Sequence, residues 1–322
     1  MIRTRLYRKG ALELDEFPAA DVSDHLEHTD TLVWIDLVDP DEADLAFVAD
    51  ELSLHRLALD DALTAHQRPK LDRYSEHLFL TAYYARLDAE SGELALSEVD
   101  AFITGQALVT VHGAGFPIEE VVRRWDGSTD LACHGVAFLL HGVLDVVVDS
   151  HFEAIRTLDE ELDDLEELLF SESPQGNAVQ RRTYELRKSV VLLRRVVLPM
   201  REVVNSVMRR DLAVLDSAMA PYYQDVYDHV LRASEWTESL RDLLATALET
   251  HLTIQGNRLN TVMKKVTGWA AIIAVPTAIT GFYGQNVPYP GFGHVGGFWA
   301  SSATIVLLSG LLYVVFRRRD WI

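Results

Sequence analysis

The chain has 322 residues, a net charge of −20 and one cysteine, Cys133. That acidic excess argues against nucleic acid, whose phosphates need basic partners, and a single thiol excludes an intrachain disulfide or a multi-thiolate metal site while fitting a reducing compartment. The charge is also uneven: from Arg258 onward six basic residues meet one acidic residue, a balance of +5, which leaves −25 for residues 1–257 and reads either as a solvated acidic surface or as a body that attracts or senses cations.

The first nine residues, MIRTRLYRK, carry the charge of a signal peptide but no apolar run follows them. The large body is therefore expected to stay on the side of the membrane where it is made. Residues 1–125 read as a mixed α/β domain. Residues 31–38 (TLVWIDLV) form a buried-strand run, and Asp39-Pro40-Asp41-Glu42 reads as a helix start, with Asp39 as N-cap, Pro40 at the first helical position and Glu42 closing a capping box. That helix carries Leu45, Val48, Leu52 and Leu57 and leads to a short second one near residues 59–63. Strands are expected over 77–87, 98–104 and 107–112, separated by turn residues at 88–92 and at Gly105-Gln106. The polar stretch 15–30 has no clear pattern and reads as a loop.

From Pro117 onward the pattern is helical. Residues 126–216 read as two long antiparallel helices, 130–170 and about 178–210, joined by a Pro- and Gly-containing turn at 171–177, with Pro199 as a kink in the second. The apolar stretch 136–148 is too short to span a bilayer and is broken by Asp145. The acidic run at 159–167 reads as a solvated helix face or a cation-concentrating arm. A third helix starts near Pro221 and meets no breaker it cannot tolerate, so the stalk 217–265 should run on into the first membrane span as a rod on the order of 90 Å.

Residues 266–316 contain no Asp, Glu, Lys or Arg, enough for two spans of about 20 residues each. The spans are expected at 266–283 and 295–316, with an outer loop at 284–294 and a basic tail at 317–322. Lys264 and Lys265 precede the first span and Arg317, Arg318 and Arg319 follow the second, a basic collar that places both chain ends in the cytoplasm. Along the stalk and first span, positions alternately three and four apart are small or polar, Met263 excepted. They are Asp242, Thr246, Glu249, Thr253, Gly256, Asn260, Met263, Thr267, Ala270, Ala274, Thr277, Gly281 and Gly284. A 3.5-residue period keeps one helix edge toward a shared axis. Close helix packing through small residues is one use of such an edge. The polar members Asn260, Thr267 and Thr277 favour another, a wet lining, because polar groups at membrane depth face protein or water. Two spans cannot enclose a pore, so that reading requires an oligomer. An amide and hydroxyl lining without carboxylates at membrane depth fits a hydrated divalent ion such as Mg²⁺. No phosphate-binding Gly loop, nucleophile motif or catalytic metal spacing argues for an enzyme.

At Tyr283-Gly284-Gln285-Asn286, directly after the first span, the sequence resembles the CorA-type magnesium and cobalt transporter family, whose mark is Gly-x-Asn between two terminal spans. Further matches are Asn260-Thr-Val-Met-Lys264, Pro276-Thr277 with Gly281, Gln224-Asp-Val-Tyr-Asp-His229, His66-Gln-Arg-Pro-Lys70 and the ending Trp321-Ile322. The resemblance implies an α+β cytoplasmic domain, a long stalk helix and a two-helix transmembrane hairpin, assembled as a funnel-shaped homopentamer in the cell membrane. It implies Gly284, Gln285 and Asn286 as the outer selectivity ring, and a pore lined at Glu249, Asn260, Met263 and Thr277, positions that fall on the stripe. It also implies Mg²⁺ as both cargo and regulator, with no organic cofactor. Regulatory Mg²⁺ would bridge neighbouring subunits at Asp225 and Asp88, although a helix start and a hairpin turn each want an Asp for plainer reasons. Gln285 stands where the family commonly has Met, and the outer loop lacks its frequent acidic residue. Those departures leave a zinc transporter of the same superfamily, with or without proton coupling, as the nearest alternative, and a non-conducting membrane-anchored cation sensor as the next.

Overall fold

The computed structural model describes residues 2–64, 67–88, 93–170, 176–209, 216–285, 287–289 and 291–322, without the side chains of 170 and 176–178. The chain divides into two compact units, Met1–Ala245 and Thr246–Ile322.

The first unit is built on a seven-stranded mixed sheet. In chain order the strands are β1 (Ile2–Arg8), β2 (Ala11–Asp15), β3 (Thr31–Val38), β4 (Lys70–Arg73), β5 (Leu78–Leu87), β6 (Leu94–Ile103) and β7 (Ala107–His112). They lie side by side as β2-β1-β3-β7-β6-β5-β4. Only β3 and β7 pair in parallel, Val33 opposite Ala107 through Val38 opposite His112. Because successive strand side chains point to opposite faces, β3 feeds two cores. Val33, Ile35 and Leu37 pack with Leu45, Val48 and Ala58, from helices α2 (Glu42–Leu52) and α3 (Arg56–Leu63). Leu32 and Trp34 pack instead with α4 (Ile118–Gly127), α5 (Val136–Phe170), α6 (Gly176–Val207) and the first turns of α7 (Ala220–Tyr283). The sheet is thus the middle of three layers.

Several sequence expectations need correction. Within the stretch 15–30 expected as a loop, residues 22–26 form a short helix, α1 (Val22–Leu26), and the strand β2 just before it was not anticipated. Every β2 residue is exposed, and its short Leu12-Glu13-Leu14-Asp15 alternation covers no core. The basic N-terminus is β1, and Arg5 is buried because its guanidinium donates to Asp15 at 2.9 Å and Asp126 at 2.9 Å. Asp41, not Asp39, caps α2, in a reciprocal capping box with Asp44. Asp39 has φ 45° and its N–H donates to the His112 carbonyl, so it ends the strand instead. Leu57 lies in α3 and is 60% exposed, beyond the break at Ser53. β6 begins four residues before the expected 98, and β4 was not anticipated. The helix expected from residue 130 starts at Val136, because a 3₁₀ turn over Thr129–His134 ends at Gly135 with φ 66°. Pro199 lies inside α6. The turn expected at 171–177 and the tip of the one at 88–92 fall mainly outside the described residues.

The second unit holds the remainder of α7, which is unbroken from Ala220 to Tyr283, and α8 (Val295–Arg318). Both helices are long and apolar enough to cross a membrane. In their most apolar stretches almost no residue is fully buried within the chain, which is what a lipid-facing or oligomer-facing helix leaves open.

Candidate functional site

The half-buried positions of α7 in its last fifteen residues are Ala271, Ile272, Val275, Pro276, Ile279 and Tyr283. Those of α8 are Gly297, Ser301, Ser302, Ile305, Ser309, Leu312 and Phe316. Each set recurs at helical spacing, so the two helices turn one side toward each other, and Trp269 meets Tyr313 with ring centroids 6.4 Å apart. The small and polar stripe lies on a different side of α7. Thr267, Ala270, Ala274, Thr277, Gly281 and Gly284 are all exposed in the single chain, as are Glu249, Thr253, Asn260 and Met263 earlier in α7.

The threonine hydroxyls of α7 bond back into their own helix. Thr277 donates to the Ile273 carbonyl at 3.0 Å, Thr280 to the Pro276 carbonyl at 2.8 Å and Thr253 to the Glu249 carbonyl at 3.0 Å. This meets the donor's need in an apolar setting and leaves the oxygen lone pairs facing outward. Pro276 contributes no backbone N–H, which weakens the helix ladder one residue before Thr277.

The chain leaves α7 through a tight turn. The Gly284 N–H donates to the Thr280 carbonyl at 2.8 Å and that of Gln285 to the Phe282 carbonyl at 3.3 Å. Gln285 is exposed, and Asn286 lies outside the described residues. The loop that follows is held by aromatic rings that were not anticipated from sequence. Tyr289 packs on Tyr283 at 5.0 Å and on Phe292 at 5.3 Å, and its hydroxyl donates to the Tyr283 carbonyl at 2.8 Å. Two glycines then let the loop close onto α8. Gly291 has φ 90°, and a side-chain carbon added at Gly297 would lie 2.5 Å from the Gly291 carbonyl oxygen.

Residues 29–318 match the family model described as CorA-like Mg²⁺ transporter protein. The chain belongs to that family. It is 30% identical over 318 residues to the cobalt/magnesium transport protein CorA of Thermotoga maritima, covering 96% of this chain and 90% of that one. Its fold superposes on the complete structure of the CorA magnesium transporter from Methanocaldococcus jannaschii with a TM-score of 0.80 and 22% identity, covering 100% and 99% of the two chains. Further off, it is 24% identical to a zinc transport protein, ZntB, of Pectobacterium atrosepticum, over 79% of this chain and 77% of the relative. The CorA-like chain is therefore a divalent-cation transporter of the CorA superfamily, a class of transporters and not of enzymes.

In this CorA-like chain Asp225 stands in the second turn of α7 with its side chain 68% exposed, and its Oδ2 lies 3.9 Å from Nδ1 of His229 one turn on. Asp88 is exposed at the end of β5, where its N–H donates to the Glu93 carbonyl at 3.0 Å. Among the described residues no three His, Cys, Asp or Glu side chains of one chain gather into a metal cluster. Asp242 pairs with Arg241 at 2.7 Å. His66 lies outside the described residues. The collar residues Lys264, Lys265, Arg317, Arg318 and Arg319 are all exposed, and Arg317 reaches the Tyr313 hydroxyl at 3.5 Å. Lys264 lines a cleft of about 470 Å³ with Asn257, Asn260, Met263, Thr267 and Trp321. The part played by Trp321 there was not foreseen, because nothing in an Arg-Arg-Arg-Asp-Trp run says that the chain turns back.

Proposed function

We propose that five copies of this chain surround a common axis and conduct hydrated Mg²⁺ into the cytoplasm. The first unit would form a funnel on the cytoplasmic side, with both chain ends there. The observation that carries this reading is that the small, polar stripe of α7 is exposed and lies off the side, with Ile272, Val275, Ile279 and Tyr283, that the helix turns toward α8. Gathered round water, the outward lone pairs of the threonines and the amide of Asn260 would be solvated, which lipid cannot do. Glu249, Thr253, Asn260, Met263, Thr267, Ala270, Ala274, Thr277 and Gly281 would line the pathway. Gly284, Gln285 and Asn286 would form its outer ring, the carboxamides holding the ion's water shell instead of stripping it. A divalent ion moving inward gains about 4.6 kcal/mol per 100 mV, so no other energy source is needed.

Feedback is part of the proposal. Cytoplasmic Mg²⁺ held between neighbouring subunits at Asp225 and Asp88 would neutralise repelling carboxylates and keep a closed, symmetric assembly. Loss of the ion would let the subunits part. The acidic first unit supports this by concentrating cations where the sensor sits. A second reading, Zn²⁺ transport with or without proton coupling, is favoured by Gln285 beside Asn286 and by the zinc-transporting relative.

Flux into proteoliposomes carrying the purified protein tests both. Inward Mg²⁺ flux, competed weakly by Zn²⁺, insensitive to a pH gradient and abolished in Asn286→Ala, is the expected result. Zn²⁺ flux that follows an imposed pH gradient would transfer the protein to the second reading. No flux of any divalent ion, with Asn286→Ala indistinguishable from wild type, would leave a membrane-anchored sensor.

A further inference from the structure

Among the described residues of 248–322, one is buried, and it is a glycine inside the first span, Gly268. What covers it is the segment beyond α8. A carbon added at Gly268 would lie 3.1 Å and 3.2 Å from Cγ1 and Cδ1 of Ile322 and 3.6 Å from Cδ2 of Phe316. The chain reaches that spot by reversing at Asp320, whose φ of 54° is left-handed. The N–H groups of Arg319 and Trp321 close the helix end onto the Val315 and Phe316 carbonyls, at 3.1 Å and 2.9 Å. Trp321 then stacks flat on Phe316, centroids 5.4 Å apart and planes 3° from parallel, and forms one wall of the cleft that contains Asn260, Met263 and Thr267.

We infer that Trp321 and Ile322 latch α8 onto α7, so that the inner mouth of the pathway is positioned by α8 as well as by α7. This rests on reading α7 as the pathway-lining helix. Gly268 is one residue from Thr267, so whatever seats against its missing side chain fixes the rotation of the stripe at that level. The seat fits closely, because one more carbon on α7 would require Ile322 to move by a few tenths of an ångström. The left-handed residue that turns the chain is an aspartate in place of glycine, a conformation that costs of order 1 kcal/mol and persists when the contacts beyond it hold it. A Trp-Ile pair acting solely as an interfacial anchor would need neither the turn nor the notch.

The latch predicts a bond that can be made and a function that can be lost. In full-length protein with Cys133→Ser, the pair Gly268→Cys and Ile322→Cys should form an intramolecular disulfide under mild oxidation, with Mg²⁺ flux kept within about twofold of the reduced form. In otherwise wild-type protein, Ile322→Gly should lower flux at least fivefold with expression and oligomer size unchanged. Gly268→Ala should lower it too, and Ile322→Val should restore flux to that variant by returning the space the added methyl took. Failure of the disulfide to form, or wild-type flux in Ile322→Gly, would overturn the latch. A disulfide that forms in a protein conducting no divalent ion would keep the latch and remove the transport reading.

Discussion

The imidazole of His112 lies 3.1 Å from the carboxylate of Asp36, across the one parallel strand pair of the sheet, and the two side chains are 1% and 2% exposed. The pair is anchored on both sides. Thr110 donates to Asp36 Oδ1 at 2.5 Å, Trp34 Nε1 donates to the Thr110 hydroxyl at 3.0 Å, and His112 Nδ1 lies 2.8 Å from the Gly113 carbonyl. Burial works against the charged imidazolium, but the bond to Asp36, its charge and the Gly113 carbonyl together raise the His112 pKa above its ordinary value. A histidine raised on folding contributes stability that is whole below its unfolded pKa of about 6.5 and is lost as pH rises through the higher folded value. Replacing one partner leaves the other buried alone, so His112→Gln should destabilise the protein by about 3–5 kcal/mol at pH 6. The gap to wild type should narrow toward alkaline pH, read as thermal unfolding by circular dichroism from pH 5.5 to 9.

Asp100 pulls in the same direction from a different cause. Burial pushes its carboxyl up to about 8, partly offset by the hydroxyl of Thr81, which donates to Oδ1 at 2.6 Å, and reinforced by Glu98. The group therefore holds its proton in the fold at neutral pH, whereas the unfolded chain would release it. The stability present below pH 4 is lost progressively as pH rises to about 8. Asp100→Asn accepts the same hydrogen bond and carries no proton to lose. It should be more stable than wild type at pH 7, with the difference growing by up to about 1 kcal/mol per pH unit between pH 5 and 8 and then levelling. A constant difference across that range would show that Asp100 does not titrate there.

What the sequence disclosed and what it hid divide along a physical line. The two long apolar helices were legible because each is a pattern within one helix, and α7 runs on as one element for the same reason. β3 and β7 were legible because strands buried on both faces are continuous apolar runs. β1 was not, since Arg3 and Arg5 disguise it, and what makes Arg5 tolerable is supplied by Asp15 and Asp126, the latter 121 residues away. The same holds at the membrane end. The packing of Tyr289 on Tyr283 and of Ile322 on Gly268 joins parts of the chain that no local period relates.

Gly142 marks another such contact. A side-chain carbon there would lie 2.3 Å from Nε1 of Trp125, an indole 1% exposed that donates to the Leu139 carbonyl at 3.1 Å and packs edge-on against Trp34 at 4.9 Å. The ring cannot yield without giving up its hydrogen bond or its neighbour. Gly142→Ala, otherwise favourable in a helix, should therefore destabilise the first unit by about 1–3 kcal/mol. The change should appear as a lower midpoint in chemical denaturation followed by tryptophan fluorescence.

Two glycines at the outer end of α7 separate the reading of the pathway from simple helix packing. At Gly284 an added carbon would sit 2.8 Å from the Thr280 carbonyl oxygen, a backbone atom that cannot swing away, so Gly284→Ala must displace the turn that leads to Asn286. At Gly281 an added carbon meets nothing within 4 Å inside one chain. Gly281→Ala is therefore silent for the fold of the single chain and reports only on what lies outside it. If the stripe faces a shared water-filled axis, five added methyls narrow one level of the pathway, and Mg²⁺ flux should fall several-fold with assembly size unchanged. If the stripe faces lipid, Gly281→Ala should conduct like wild type while Gly284→Ala still loses at least tenfold. Flux measured on both variants at equal protein density, with subunit number checked by native mass spectrometry, distinguishes these outcomes.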